Sequence, residues 1–441
     1  MMEQRKESVR ARDGAGNGWL AMAVLAMLVL AASTVGFADK KKDDKQPQKV
    51  VSIYDMIDKS KAVWPQPPNI ARVRYLDYFA GEKLPDFNAQ PAKQKSSWMD
   101  RLAGTSVEKT DNPLKGHFFM GEPHGLAEDS KGKLYVADGK VSAIFIIDPE
   151  TKNTEMIKNG KDAGFVLING LAIDDSDRLF VSDAQAHRVL VFDKNHKGEA
   201  AITEGLVTPA GMAIDNENRF LYVADLGQDQ VLVYDADNLT PIRRIGTPNT
   251  NHQSSAPGDF SKPSSVAVDQ DGNVYVADML NYRIEVFDAD GKFIRAFGKH
   301  GDGPGYFAMP KGVAVDCDGH IWVTDSMQNR VHLFTQDGNL LMYMGSKQGV
   351  MPGTFSGLQY IMIDKQNRVF TSEVYPGRVQ MFRYVTQDEA LKEKERREAE
   401  KAAKASGTYK PVEKPIPAAF PNQQKQEDKT DAAKPKDPGA K

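Results

Sequence analysis

Short runs of alternating apolar and polar residues fill most of this chain, and residues 263–298 show the pattern most plainly. Four segments there, 265–268, 273–277, 283–287 and 292–297, are rich in Val, Ile, Tyr and Phe. Between them stand Asp-Gln-Asp-Gly, Asp-Met-Leu-Asn-Tyr and Asp-Ala-Asp-Gly, which are turn sequences. The period of two predicts strands, and the punctuation predicts tight connections between them. The stretch is therefore one four-stranded antiparallel sheet, which cannot bury both of its faces alone.

The same stretch recurs. Six inner-strand segments align: Pro123-His-Gly-Leu-Ala-Glu-Asp129, Ile168-Asn-Gly-Leu-Ala-Ile-Asp174, Pro209-Ala-Gly-Met-Ala-Ile-Asp215, Pro263-Ser-Ser-Val-Ala-Val-Asp269, Pro310-Lys-Gly-Val-Ala-Val-Asp316 and Leu358-Gln-Tyr-Ile-Met-Ile-Asp364. An acid closes the second strand nine residues later, or ten in one copy: Asp138, Asp183, Asp225, Asp278, Asp325 and Glu373. Five residues on stand Arg188, Arg283, Arg330 and Arg378, with Ala143 and Gln230 in the other two copies. Nine residues after the acid comes Ile147, Phe192, Tyr234, Phe287, Phe334 or Phe382. Four strands repeated at roughly 40–50 residues predict a β-propeller. The Asp/Arg pairs recur from blade to blade, so they read as architectural ion pairs.

The pattern P-x-G-[VL]-A-[VI]-D, then [YFW]-V-[AST]-D, then N-x-R-[VI] and an aromatic, resembles the NHL repeat. Pro257-Gly-Asp-Phe260, Pro304-Gly-Tyr-Phe307 and Pro352-Gly-Thr-Phe355 look like the P-G-x-F that precedes an NHL inner strand. The resemblance covers about residues 71–385 and implies an all-β fold: a six-bladed β-propeller of four-stranded antiparallel blades. It implies little about function, because one fold hosts many tasks. The sixth repeat has no fourth strand of its own, since the chain turns helical after Phe382. Residues 71–79 resemble the outer strands 293–298 and 340–345, and they are expected to complete blade six and close the ring.

The ends of the chain have a different character. Residues 1–18 are polar and basic, and residues 19–38 form an uncharged apolar run ending Gly-Phe-Ala. That ending fits a cleaved signal peptide; uncut, the run is long enough to anchor the protein in a membrane. Either way the propeller is expected to be exported, to the periplasm or outside the cell. Residues 39–70 form a charged and Pro-rich linker, with a stiff extended piece at 64–68. Residues 80–118 link the closing strand to blade one, with a helical turn at 97–102. A charged helix is expected over 386–406, supported by the spaced pairs Glu393 with Arg397 and Glu400 with Lys404, and a disordered tail over 407–441.

Composition narrows the function. Lys plus Arg number 57 against 60 Asp plus Glu, a net charge of −3, which gives no basic footprint for nucleic acid. The single cysteine, Cys317, excludes an internal disulfide, and nothing near it in sequence would activate its thiol. The Asp-x-Asp-Gly turns at 269–272 and 316–319 lack the distal Glu of a calcium loop and run straight into strands, so they read as β-turns. No Ser/His/Asp triad, phosphate loop or haem motif is present.

By register, His124, Asn169, Ala210, Ser264, Lys311 and Gln359 occupy equivalent places at one mouth of the central channel. A polar ring in a concave mouth is the candidate site for ligand or partner, carried by His124, Asn169, Ser264, Lys311 and Gln359. Lys311 is expected to be solvated there. Residues 247–256, the longest insertion between blades, are the second candidate. Peptidylglycine amidating lyase is similar in having NHL-type repeats, and that resemblance implies zinc held by a histidine after the proline in three blades. Only His124 matches, and a catalytic zinc needs about three protein ligands. No metal, cofactor or catalytic residue is expected. The preferred reading is a non-catalytic propeller that binds or scaffolds a protein or envelope component. An enzyme using the channel mouth, hydrolase or lyase, is the alternative.

Overall fold

The computed structural model describes residues 58–82, 118–158, 163–249, 251–345 and 348–406. The expected helical turn at 97–102 and the N-terminal apolar run lie outside them. Six antiparallel sheets are arranged in a ring. Their inner strands are Pro123–Glu128, Ile168–Ile173, Pro209–Asp215, Pro263–Val268, Pro310–Val315 and Leu358–Ile363. Each lies beside the inner strands of its two neighbours, blade six beside blade one included.

Blade six closes as the sequence predicts. Val73–Phe79 pairs antiparallel with Arg378–Tyr384, in register Val73 to Tyr384 and Phe79 to Val379. The sheet then reaches further out than expected. Val63–Trp64, read from the sequence as part of a stiff linker, adds a fifth strand against Arg74 and Val73. Trp64 meets the ring of Phe382 edge-on at 5.8 Å, so burial of the indole draws this short piece into the sheet.

There is no single core. Buried side chains gather in six clusters, one in each seam between adjacent blades. In the seam of blades four and five, Phe307 of the Pro-Gly-Tyr-Phe linker packs on Phe334, ring centroids 5.6 Å apart. Gly298 ends the preceding outer strand in the left-handed region, and a Cβ there would lie 2.4 Å from the Phe307 ring. Phe260 and Phe355 occupy the same place in their own seams and are equally buried. The aromatic of each linker is a wedge, and the glycine makes room for it.

The acid closing each second strand is fully buried in all six blades. In blades one and five it ties the incoming linker to the turn that follows its own strand by accepting from amides of both. Asp138 accepts from Gly121 N at 2.6 Å and Val141 N at 2.8 Å; Asp325 accepts from Ala308 N at 2.7 Å and Gln328 N at 2.8 Å. The arginine five residues on pairs with its acid in three of the four blades that carry it: Arg188 with Asp183, Arg283 with Asp278 and Arg378 with Glu373. Arg330 departs. It donates to Gln328 Oε1 at 3.3 Å and lies over the Tyr343 ring, because Asp325 is already engaged by four backbone amides.

A helix, Gln387–Ala405, leaves the ring after the last strand. Thr386 caps it, with Glu389 reaching back to complete a capping box. The pairs Arg397 with Glu393 and Lys404 with Glu400 run along its surface. No helix among the described residues is long and apolar enough to cross a membrane.

Candidate functional site

Every inner strand breaks register just after its first residue, between Pro123 and Leu126 in blade one and between Leu358 and Ile361 in blade six. The same irregularity recurs in the other four blades. A bulge re-aims a side chain out of the pleat, and here it frees the residue after the proline from the sheet. In blades one and two the third residue must then be small. A Cβ on Gly125 would lie 2.4 Å from the Asn169 carbonyl oxygen of the next blade, and one on Gly170 would lie 2.2 Å from that of Ala210. The inner strands thus touch backbone to backbone at this mouth.

Hydroxyls from the second strands lock the arrangement. Ser182 Oγ donates to the Ala210 carbonyl at 2.7 Å, Thr324 Oγ1 to that of Gln359 at 2.9 Å, and Ser372 Oγ to that of His124 at 2.6 Å. Each bond joins one blade to the next, and the last joins blade six to blade one. These are the Ser and Thr alternatives of the [AST] position in the repeat pattern.

The outcome is one cavity of about 270 Å³ at the mouth. It is lined by His124, Asn169, Ala210, Ser264, Lys311 and Gln359, all six ring positions read from the sequence. Four further residues line it that sequence reasoning did not assign: Leu226, Met279, Met309 and Tyr360. Register offered a signal for each. Leu226 and Met279 directly follow the closing acids, Met309 precedes the proline, and Tyr360 stands where four blades have glycine.

Tyr360 changes the channel itself. Its side chain crosses from blade six to the opposite side of the ring, where its hydroxyl donates to the Met212 carbonyl of blade three at 3.1 Å. Burial raises its phenol above the ordinary value, so it stays protonated and able to donate. The ring forms the floor of the upper cavity and the ceiling of a lower cavity of about 290 Å³, lined by aliphatic side chains together with Glu128, Asp364 and Lys365.

Lys311 is half-buried rather than solvated, a correction to the sequence reading. Its Nζ donates to Gln359 Oε1 at 2.6 Å, and among the described residues no carboxylate pairs with it. Burial alone lowers its pKa below the ordinary lysine value. Burial likewise lowers His124, and the nearby Lys311 adds to the effect, so the imidazole is neutral at pH 7. Ser264 is partly committed, since its Oγ donates to the Lys311 carbonyl at 2.8 Å.

The insertion at 247–256 is pinned beside this mouth. His252 Nδ1 meets the buried carboxylate of Asp229 at 2.7 Å, and its Nε2 meets Lys262 Nζ at 3.1 Å. Other described histidines have structural partners. His320 meets Asp316 and the Tyr384 hydroxyl. His332 is buried against Phe334, and burial drives its pKa down to about 4. Among the described residues no group of three or more His, Cys, Asp or Glu is placed to hold a metal. The Asp-x-Asp-Gly segments are turns: Gly272 N donates to the Asp269 carbonyl and Gly319 N to that of Asp316.

Residues 307–334 match the family described as NHL repeat, and residues 187–299 match the SMP-30/Gluconolactonase/LRE-like region. Together with the six-bladed architecture, these matches over part of the chain support an NHL-repeat propeller family. The chain is 24% identical over 201 residues to NHL repeat-containing protein 2 of Bos taurus. The match covers 45% of this chain and spans 25% of that relative's length. Among solved structures it is similar to a gluconolactonase from Xanthomonas campestris, at 18% identity and a TM-score of 0.47, covering 60% of this chain and 86% of that one. It is also similar to virginiamycin B lyase from Staphylococcus aureus with quinupristin, at 15% identity and a TM-score of 0.45, covering 61% and 82%.

Proposed function

We propose that this NHL-repeat propeller is an exported, non-catalytic binding module that presents its upper mouth to a protein or envelope partner. One observation carries the reading: loops at that face expose large apolar side chains around the cavity. Leu167, Val207 and Met351 lie on linkers entering blades two, three and six, and Leu280, Met327 and Tyr375 on turns of blades four, five and six. Met327 and Tyr375 are each 65% exposed. Exposed apolar side chains at one face are the kind of surface that docks a partner or a ligand. The apolar run at 19–38 supports the export half of the proposal.

The test uses the full chain as bait against an envelope fraction. Wild type should capture a partner that a Met327→Asp/Tyr375→Asp variant loses, with both melting alike. Equal capture by the two refutes the docking face. Export is checked separately: N-terminal sequencing of fractionated protein should find either a start near Asp39 or a membrane-bound uncut form. Cytoplasmic protein with Met1 intact refutes it.

The second reading, an enzyme at the same mouth, is favoured by the gluconolactonase-like match at 187–299. Metal analysis of the purified chain together with lactone and amide-lyase assays discriminates the two. Stoichiometric bound metal and turnover that both vanish in His124→Ala would establish the enzyme.

A further inference from the structure

We infer that the upper cavity receives a carboxylate carried on a small apolar body. The inference rests on the reading that this mouth is the binding site, and it names the chemistry the site accepts. Lys311 brings a positive charge to a wall that holds no negative one. None of the ten residues lining the cavity is acidic. An ammonium taken out of water is costly unless a counter-charge meets it. Among the described residues its hydrogen-bond partner is the amide oxygen of Gln359. A ligand carboxylate would supply the missing charge.

The neighbours suit the same group. Asn169 and the neutral His124 place further hydrogen-bonding groups in the cavity beside the ammonium, and a carboxylate can accept several bonds at once. The remaining wall is Ala210, Leu226, Met279 and Met309 with the Ser264 hydroxyl, which is turned to the Lys311 carbonyl, and the Tyr360 ring as floor. These surfaces would hold a hydrocarbon tail and offer nothing to a second charge. The cavity of 270 Å³ lies just below the range of about 300–1,000 Å³ typical of drug-sized sites, so the occupant is a small acid or the end of a chain. It is closed below by Tyr360, so the ligand enters and leaves by one side.

Two sources share this chemistry: a free short-chain acid and the C-terminal residue of a docked protein. The experiment titrates the full chain with hexanoate, hexanamide and hexylamine, and with a tetrapeptide ending in leucine as free acid and as amide. The acid of a pair should bind at least about tenfold tighter than its amide, and hexylamine should not bind. In Lys311→Met the advantage of the acid should vanish, while the fold survives because the variant removes an uncompensated charge. Its cooperative melt checks that survival. If that variant fails to fold, wild type alone still decides through the acid-to-amide ratio. Hexanoate binding without the peptide identifies a free acid as source; the reverse identifies a chain terminus. Equal binding of acid and amide, no binding of either, or an acid preference intact in Lys311→Met overturns the inference. Partner capture that persists while no acid binds leaves the docking face standing. Acid binding alongside loss-free capture by the Met327→Asp/Tyr375→Asp variant does the reverse.

Discussion

Blade four and blade six occupy equivalent places in the ring, yet they are made differently. Blade four is one uninterrupted stretch, Pro263 to Phe297, and its inner strand reads Pro-Ser-Ser-Val-Ala-Val. Blade six takes three strands from residues 358–384 and two from residues 63–79, and its inner strand reads Leu-Gln-Tyr-Ile-Met-Ile. Both keep an acid–arginine pair, but Arg283 is 13% exposed at its side chain and Arg378 only 1%. Local turn chemistry suffices to build blade four. Blade six depends on a segment about 300 residues away in sequence, and it alone sends a side chain across the channel. Regular repeats therefore report geometry, and departures from the repeat mark where this particular ring is closed, plugged and equipped.

The largest expected effect comes from removing the distant part of blade six. A chain truncated before Gly81 loses Val73, Tyr75 and Phe79, all buried, and leaves the strand Arg378–Tyr384 as a bare edge. Each such side chain contributes about 1.5–3 kcal/mol, so the sum rivals a typical domain's whole stability. No cooperative thermal transition should remain. A melt like that of the full chain would make blade six as self-sufficient as blade four.

Next come the ion pairs. Arg378→Met leaves Glu373 buried and unpaired, and should cost about 3–5 kcal/mol in a denaturant titration. The equivalent Arg188→Met in blade two, where the guanidinium is 28% exposed, should cost under about 1 kcal/mol. Equal losses would show that burial does not separate the two blades.

Tyr360→Phe tests the plug. It removes one hydrogen bond across the channel, to Met212, and should cost about 1 kcal/mol. Tyr360→Gly, which restores the residue of blades one, two, three and five, should join the upper and lower cavities in a crystal structure. Two separate cavities in that variant would mean that another group divides the channel.

The smallest effect is pH-dependent and lies in the seam between blades six and one. Burial pushes the Glu128 carboxyl up to about 7, and Asp364 adds to the shift against the opposing Arg368. A carboxyl raised in the folded state favours folding below its ordinary value of 4.5 and loses that contribution as pH rises through about 7. Glu128→Gln should therefore flatten part of the decline in stability between about pH 4.5 and 7, by about 1 kcal/mol after allowance for its solvent and its arginine. Glu285, also raised to about 7 by burial, should account for a further part, so the slope should lessen without vanishing. An unchanged slope in Glu128→Gln would remove Glu128 from the account.

The repeat alone carried most of the architecture. Turn-forming Asp-x-Asp-Gly segments, alternating strands and the spacing from inner-strand Asp to closing acid are local properties. They determined the blades, the ring and the six positions of the mouth, because equivalent residues in a closed ring must meet around its axis. The closing strand was legible for the same reason, as a surplus strand and a blade one short. The second N-terminal strand was not, since two residues carry too little period and the cluster around Phe382 that receives Trp64 exists only in the folded ring. Lys311 looked solvated because a sequence shows a charge without its depth. Its burial, and the lack of a counter-charge among the described residues, depend on blades that are far apart along the chain. Tyr360 was visible as the departure from glycine, but where its hydroxyl lands depends on the blade opposite. Positions along one strand follow from covalent neighbours; solvation, ion pairing and closure across the axis follow from neighbours that only folding brings together.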